Sequence, residues 1–201
     1  MSMPPSTAGT ARPGLRERKK ARTRAAIREH AFRLFRQQGY DATTVEQIAG
    51  AAEVSPSTFF RYFPAKEDVV LQDDMDLLWA EAVRAQPAEL SPVAALRAAI
   101  PAAFTGLSPQ QLAMLQESAE LATSVPAVRA AFLDEFGRGI GVIAGAVAQR
   151  AGRDPADLAV LTLAGAVMGV AMAAWFPTGR LDDMMARFDQ GLALLEAGLP
   201  L

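Results

Sequence analysis

The stretch TTVEQIAGAAEVSPSTFFRYF, Thr43 to Phe63, decides the fold of this chain. Within it Val45, Ile48, Ala49 and Ala52 recur at i, i+3, i+4 and i+7, the single apolar face of a short helix. Thr43 or Thr44 caps its start, and it ends near Glu53. Ser55 offers a second capping hydroxyl, Pro56 suits a first helical position, and Thr58, Phe59, Tyr62 and Phe63 continue a helix of barely two turns that Pro64 closes. Two short helices around a tight turn have the proportions of a helix-turn-helix, whose second helix enters the DNA major groove. The side chains suit that task. Ser55, Pro56, Ser57 and Thr58 are small and mostly polar where base edges would be approached, and Thr44, Tyr62 and Lys66 flank them as candidate phosphate holders.

Spacing alone leaves that assignment open, since many pairs of short helices look alike; the charge distribution argues for it. Residues 1–66 hold 12 Lys and Arg against 5 acids, a surplus of seven positive charges, whereas the remaining 135 residues carry a surplus of nine negative ones. Clustered cations are what counterion release from a polyanion rewards. Upstream, Ile27, Ala31, Leu34 and Phe35 place an apolar face on a first helix expected from about Leu15 to Gln38, stopped by Gly39. Lys19, Lys20, Arg22 and Arg24 lie on it or just before it, as phosphate contacts or as a solvated basic face. Residues 1–14 are rich in Pro, Ser, Thr, Ala and Gly and read as a disordered tail without an export segment.

Downstream, a fourth helix is expected from Ala65 to Arg84 with Leu71, Met75, Leu78 and Ala82 on one face. Ser91-Pro92, Ser108-Pro109, Val125-Pro126 and Asp154-Pro155 then act as repeated start signals, predicting helices at 92–106, 109–123, 126–151 and 155–176, followed by 182–198. No stretch alternates with period two, so the expected class is all-α. Leu158 to Phe176 carries no charge over 19 residues, long enough for a membrane span. Its Ala, Gly and Met content and acidic flanks favour a helix buried in protein, and no membrane is expected as a partner. Half the residues are hydrophobic (51%) and none is Cys, which excludes disulfides and thiolate chemistry and suits a cytoplasmic protein.

The run Ala31-Phe-Arg-Leu-Phe-Arg-Gln-Gln-Gly39-Tyr, then Thr43 to Ala49, then Ala52 to Phe63 and Lys66-Glu67 resembles the DNA-binding domain of the TetR family of bacterial repressors. The resemblance implies a homodimer with a three-helix DNA-binding domain at 15–64 and a helical effector-binding and dimerisation domain at 65–201. It implies a double-stranded, palindromic operator released when a small effector binds. Thr44, Ser57, Thr58, Phe60, Tyr62 and Lys66 stand at positions that commonly touch DNA in that family. Three departures matter. Phe60 stands where tyrosine is usual, Tyr62 where histidine is common, and Pro56 where lysine is frequent, so readout rests more on Ser57, Thr58 and Arg61.

By the same analogy the uncharged helix, with Gly165, Gly169 and Ala173 at four-residue spacing, and the last helix, with Met184, Met185, Phe188, Leu192 and Leu195, form a four-helix subunit contact. Packing inside one subunit is the alternative. Candidate pocket residues are Met75, Trp79, Phe104, Met114, Phe132, Phe136, Met168, Met172 and Trp175, an apolar set in which each taken singly is better explained by core filling. Glu117 and Glu120 lie in the apolar stretch 112–121 and are expected on its polar face rather than beside a cationic ligand. Gly137, Gly139 and Gly141 fail as a phosphate loop because no strand precedes them, and one histidine, His30, leaves no catalytic set, cofactor or metal site to expect. The competing reading is a small-molecule carrier or enzyme whose basic N-terminus is incidental; it predicts only weak, salt-sensitive DNA attraction.

Overall fold

The computed structural model describes residues 14–71, 73–177 and 179–200, and within these the side chains outside 73–77. Among the described residues the chain forms α-helices and one 3₁₀ turn, with no strand. They divide into two compact units between Tyr62 and Phe63. Residues 1–13 of the expected tail lie outside the described residues.

The first unit holds α1 (Leu15–Gln38), α2 (Val45–Ala51) and α3 (Pro56–Tyr62). α1 buries Ile27, Ala31, Phe32 and Phe35 along one stripe. Each large side chain so removed from water contributes about 1.5–3 kcal/mol. Gly39 has φ 84°, a left-handed turn that suits glycine, and its N–H closes on the Phe35 carbonyl. Of the two threonines, Thr44 is the cap. Its hydroxyl accepts from Gln47 N, while Gln47 Oε1 accepts from Thr44 N, a reciprocal box. Thr43 is buried and donates to the Gly39 carbonyl at 2.7 Å. Gln38 Nε2 then donates to Gln47 Oε1, so the end of α1 holds the start of α2. Ile48, Ala49 and Phe59 fill the space between the short helices.

The second unit is a bundle of α4 (Asp73–Arg84), α5 (Pro92–Thr105), α6 (Pro109–Ser124), α7 (Pro126–Ala151), α8 (Leu158–Trp175) and α9 (Leu181–Glu196). α8 packs between α7 and α9. The Ser-Pro signals work as anticipated: Ser91 accepts from Ala94 N, and Ser108 and Gln111 form a second reciprocal box. Leu96, Ala99, Ala144, Val147, Val160, Ala164, Val167 and Leu192 meet in the core. Gly191 lets α9 close on α8, since a Cβ there would lie 2.4 Å from Val170 Cγ1. Arg97 joins α5 to α9 through Asp189 at 2.9 Å and Glu196 at 3.1 Å. Arg150 donates to the carbonyls of Gln86, Pro87 and Leu90 and so fixes the α4–α5 connection to α7.

Several expected boundaries shift. The fourth helix does not run unbroken from Ala65: a 3₁₀ turn spans Glu67–Val69 and α4 begins at Asp73. Asp68 Oδ2 accepts from Ala65 N, and the Val70 carbonyl accepts from Ser118 Oγ at 3.1 Å. The buried side of α4 is also rotated from the expected one, with Ala80 and Val83 inside and Leu78 partly exposed. α8 starts at Leu158, three residues after Pro155, because Asp157 accepts from Ala159 N and caps it there. α9 ends at Glu196, two residues short of the expected limit.

Candidate functional sites: nucleic-acid face and ligand cavity

The start of α3 is organised by hydroxyls. Ser55 Oγ accepts from Thr58 N at 3.1 Å, donates to Thr58 Oγ1 at 3.0 Å, and lies 2.9 Å from Ser57 Oγ. These small side chains therefore hold one another in place before any base edge is met, a preorganised polar tip beside exposed Pro56. Phe59 is the anchor beneath them, fully buried. Phe60 is 49% exposed and stands edge to face against it, 5.5 Å between centroids. An exposed aromatic on an otherwise polar helix suits an apolar contact such as a thymine methyl. Thr44 is exposed at the start of α2, and Arg61 is exposed beside Tyr62, its guanidinium 5.5 Å from that ring.

Arg61 and Tyr62 share an open cleft with Arg16, Lys19, Lys20 and Thr23 of α1, where Glu17 is the opposing charge. Lys19 and Lys20, which the sequence left open between phosphate contacts and a solvated face, are thus gathered with Arg16 beside the end of α3. Arg24 donates to the Tyr62 carbonyl at 3.4 Å and ties α1 to α3. Lys66 falls in the second unit, partly buried just before the 3₁₀ turn.

Inside the second unit lies a cavity of about 220 Å³. Its wall includes Trp79, Phe104, Phe132, Phe136, Met168 and Trp175, six of the nine side chains marked from the sequence. The side chain of Met75 lies outside the described residues. Met114 is half-buried away from that wall, and its carbonyl accepts from Ser118 Oγ. Met172 turns outward on α8. Three residues assigned to the subunit contact go the other way: Met184, Met185 and Phe188 line the cavity. Leu192 is fully buried in the core and so is not free to meet a partner, and Leu195, partly buried, packs against that core.

Ser118, Glu135 and Gly139 are wall residues that periodicity did not reveal, and Leu71, expected on the apolar face of the fourth helix, joins them. Gly139 is buried against Met168, whose Cε would lie 2.8 Å from an added Cβ. The i, i+3, i+4 spacing of Phe132, Glu135 and Phe136, which puts the three on one helix face, is a signal that could have found the carboxylate. Glu120, by contrast, is exposed and accepts from Gln116 Nε2, and neither it nor Glu117 belongs to the wall. Among the described residues no group of three or more His, Asp or Glu could hold a metal ion.

The outer side of α8 is apolar and open. Leu158 is 78% exposed, and Leu161, Met172 and Ala173 follow along the same side. Among the described residues nothing lies within 4 Å of where a Cβ of Gly165 or Gly169 would stand, so there they serve no close packing. α8 is long and apolar enough to cross a membrane, yet one side of it packs on α7 and α9.

A family model described as bacterial regulatory proteins, tetR family, matches residues 27–72, and one described as MftR C-terminal domain matches residues 90–200. The HTH-type transcriptional regulator TcmR of Streptomyces glaucescens is 37% identical over 161 residues, 76% of this chain and 71% of its own length. The HTH-type transcriptional regulator RutR of Escherichia coli is 34% identical over 87 residues, 42% of this chain and 41% of its own. Among solved structures, Thermus thermophilus FadR, a TetR-family transcriptional repressor in complex with lauroyl-CoA, superposes with a TM-score of 0.56 at 26% identity. That superposition covers 89% of this chain and 95% of FadR.

Proposed function

The chain belongs to the TetR family of bacterial regulatory proteins, and from that premise we infer that this DNA-binding transcriptional regulator is a cytoplasmic repressor released from a palindromic operator by a small apolar effector. The operator is read by the polar tip of α3, with Ser57 and Thr58 toward base edges and Thr44, Tyr62, Lys66 and the α1 cations toward phosphates. The effector occupies the cavity of the second unit; the FadR neighbour is a repressor in complex with a small molecule, lauroyl-CoA.

One observation carries the link between the two. Leu71 lines the cavity, and the carbonyl of its neighbour Val70 is held by Ser118, itself a wall residue. This segment continues directly from the reading unit, so a molecule that displaces Leu71 or loosens the Ser118 hydrogen bond acts on the chain that carries α3. An effector can shift the equilibrium only by its differential affinity for the two arrangements, and DNA must weaken effector binding by the same factor.

The subunit contact is the open side of α8. Two copies laid on Leu158, Leu161, Gly165, Gly169, Met172 and Ala173 bury an apolar stripe, with the glycines allowing close approach. Leu194 of α9, also exposed, extends it. Met184 and Leu192 support this face from within and do not form it. The test is sedimentation at micromolar concentration together with footprinting on a selected operator. A dimer protecting two half-sites one helical turn apart, roughly 34–36 Å, is expected. A monomer that protects a single half-site would refute the assembly.

A further inference from the structure

Apolar character alone does not account for one end of the cavity. Phe132, Glu135 and Phe136 occupy i, i+3 and i+4 on α7 and so share a helix face. Trp175 of α8 meets them, its ring centroid 5.2 Å from Phe132 at a tilt of 36° and 6.4 Å from Phe136 at 81°. All four belong to the wall. Among the described wall residues Glu135 is the one ionisable group, and none is a Lys, Arg or His.

A carboxylate against an apolar void is unfavourable unless another charge compensates it. Here the compensation comes from Arg138, which pairs with Glu135 Oε2 one turn along the helix. The two side chains differ in exposure, 62% for Arg138 and 24% for Glu135. The cation therefore sits largely in water while the acid lines the cavity. An i,i+3 pair whose cation is largely in water is weakly held and yields to a competing cation.

We propose that this end of the cavity receives a cationic head group, a lipophilic amine or quaternary ammonium. Its charge rests against the Phe132, Phe136 and Trp175 rings and the Glu135 carboxylate, and its hydrocarbon body fills the remainder. Aromatic faces attract a cation through their quadrupole, and rings set at different tilts present more than one such face. The same wall offers a buried anion no guanidinium or ammonium donor; the Trp175 indole N–H, buried without a hydrogen-bond partner, is a neutral donor only. This assignment rests on the ligand-cavity reading above and narrows it to a class of ligand.

The test uses three probes of equal chain length, decyltrimethylammonium, 1-decanol and decanoate, each titrated by calorimetry into the full chain below its micelle concentration. The ammonium is expected to bind tightest, roughly tenfold over decanol, about 1.4 kcal/mol, with decanoate weakest. Glu135→Gln should abolish the advantage of the ammonium and leave decanol unchanged. Arg138→Gln, by removing the competing guanidinium at an exposed position, should strengthen the ammonium further. Decanoate binding first, or an ammonium preference intact in Glu135→Gln, overturns the cationic assignment while leaving the cavity reading in place. If none of the three probes finds a site, the cavity is not a ligand site and both statements fall together.

Discussion

The first unit closes on large side chains, Ile27, Phe32, Phe35, Ile48 and Phe59, all of them buried. The second surrounds a cavity of about 220 Å³ with side chains drawn from α4 to α9. A DNA-reading surface gains from a filled core because its hydroxyls and aromatics must be held in one geometry, whereas a responsive unit needs internal space that a ligand can take over. The two units thus divide rigidity and adjustability between them, and substitutions of like size should act on them oppositely.

The largest effect is expected in the filled unit. Phe32→Ala removes a fully buried ring and should destabilise that unit by about 3–5 kcal/mol, abolishing operator binding. Chemical denaturation followed by circular dichroism should then show an early transition for the first unit with the second unchanged; one shared, undivided loss would deny that the units are separate.

A paired substitution sharpens the contrast. Ala31→Leu forces extra volume into the packed side of α1 and should destabilise by about 1–3 kcal/mol. Ala171→Leu, at the cavity wall, adds the same atoms to empty space and should be neutral or stabilising by about 1 kcal/mol, near the value for burying one or two methylenes. It should also block effector binding. Equal losses in both variants, read from melting temperatures, would mean that the cavity does not stand open in solution.

Smaller effects test the reading surface. Replacing Ser57 by a bulky residue should change base preference at one operator position by about 1–3 kcal/mol. Lys66→Ala should weaken all sequences alike and lower the salt slope by about one. Unchanged affinity, selectivity and salt dependence in both variants would remove α3 from the interface.

The smallest effect concerns acid. Asp157 is held below its ordinary value of 3.8, first by the hydrogen bond from Ala159 N and further by the nearby Arg153. Since its folded value is the lower one, its stabilisation is complete above the ordinary value and is lost as pH falls through the folded value. Asp157→Ala should therefore flatten the acid side of the stability curve and leave its neutral side parallel to wild type. A curve with the same acid slope would show that the cap carries no charge-dependent stability.

Legibility in the sequence follows the same division. The helix-turn-helix was readable because its determinants are local: Thr44 caps three residues from Gln47, Ser55 three from Thr58, and Gly39 takes the left-handed turn. In the second unit the starts were readable for the same reason, at Ser91 and Ser108. The break before α4 was not, because it depends on Ser118 reaching Val70 across 48 positions of sequence. The sides of α8 and α9 were harder still. Met, Leu and Phe suit a cavity wall, a core and a subunit contact equally, and only packing separates Phe188, which lines the cavity, from Met172, which faces out. Gly165 and Gly139 look alike as letters, yet one faces open space and the other holds the tip of Met168.

Reciprocity between the two units is the most direct measurement of the central claim. Operator affinity, read by fluorescence anisotropy of labelled DNA, is followed as 1-decanol saturates the cavity, and the fluorescence of Trp79 and Trp175 reports decanol binding with and without operator. The account predicts that decanol weakens DNA binding and that operator weakens decanol binding by the same factor, with both effects absent in Ala171→Leu. Saturation of the cavity with operator affinity unchanged would contradict it.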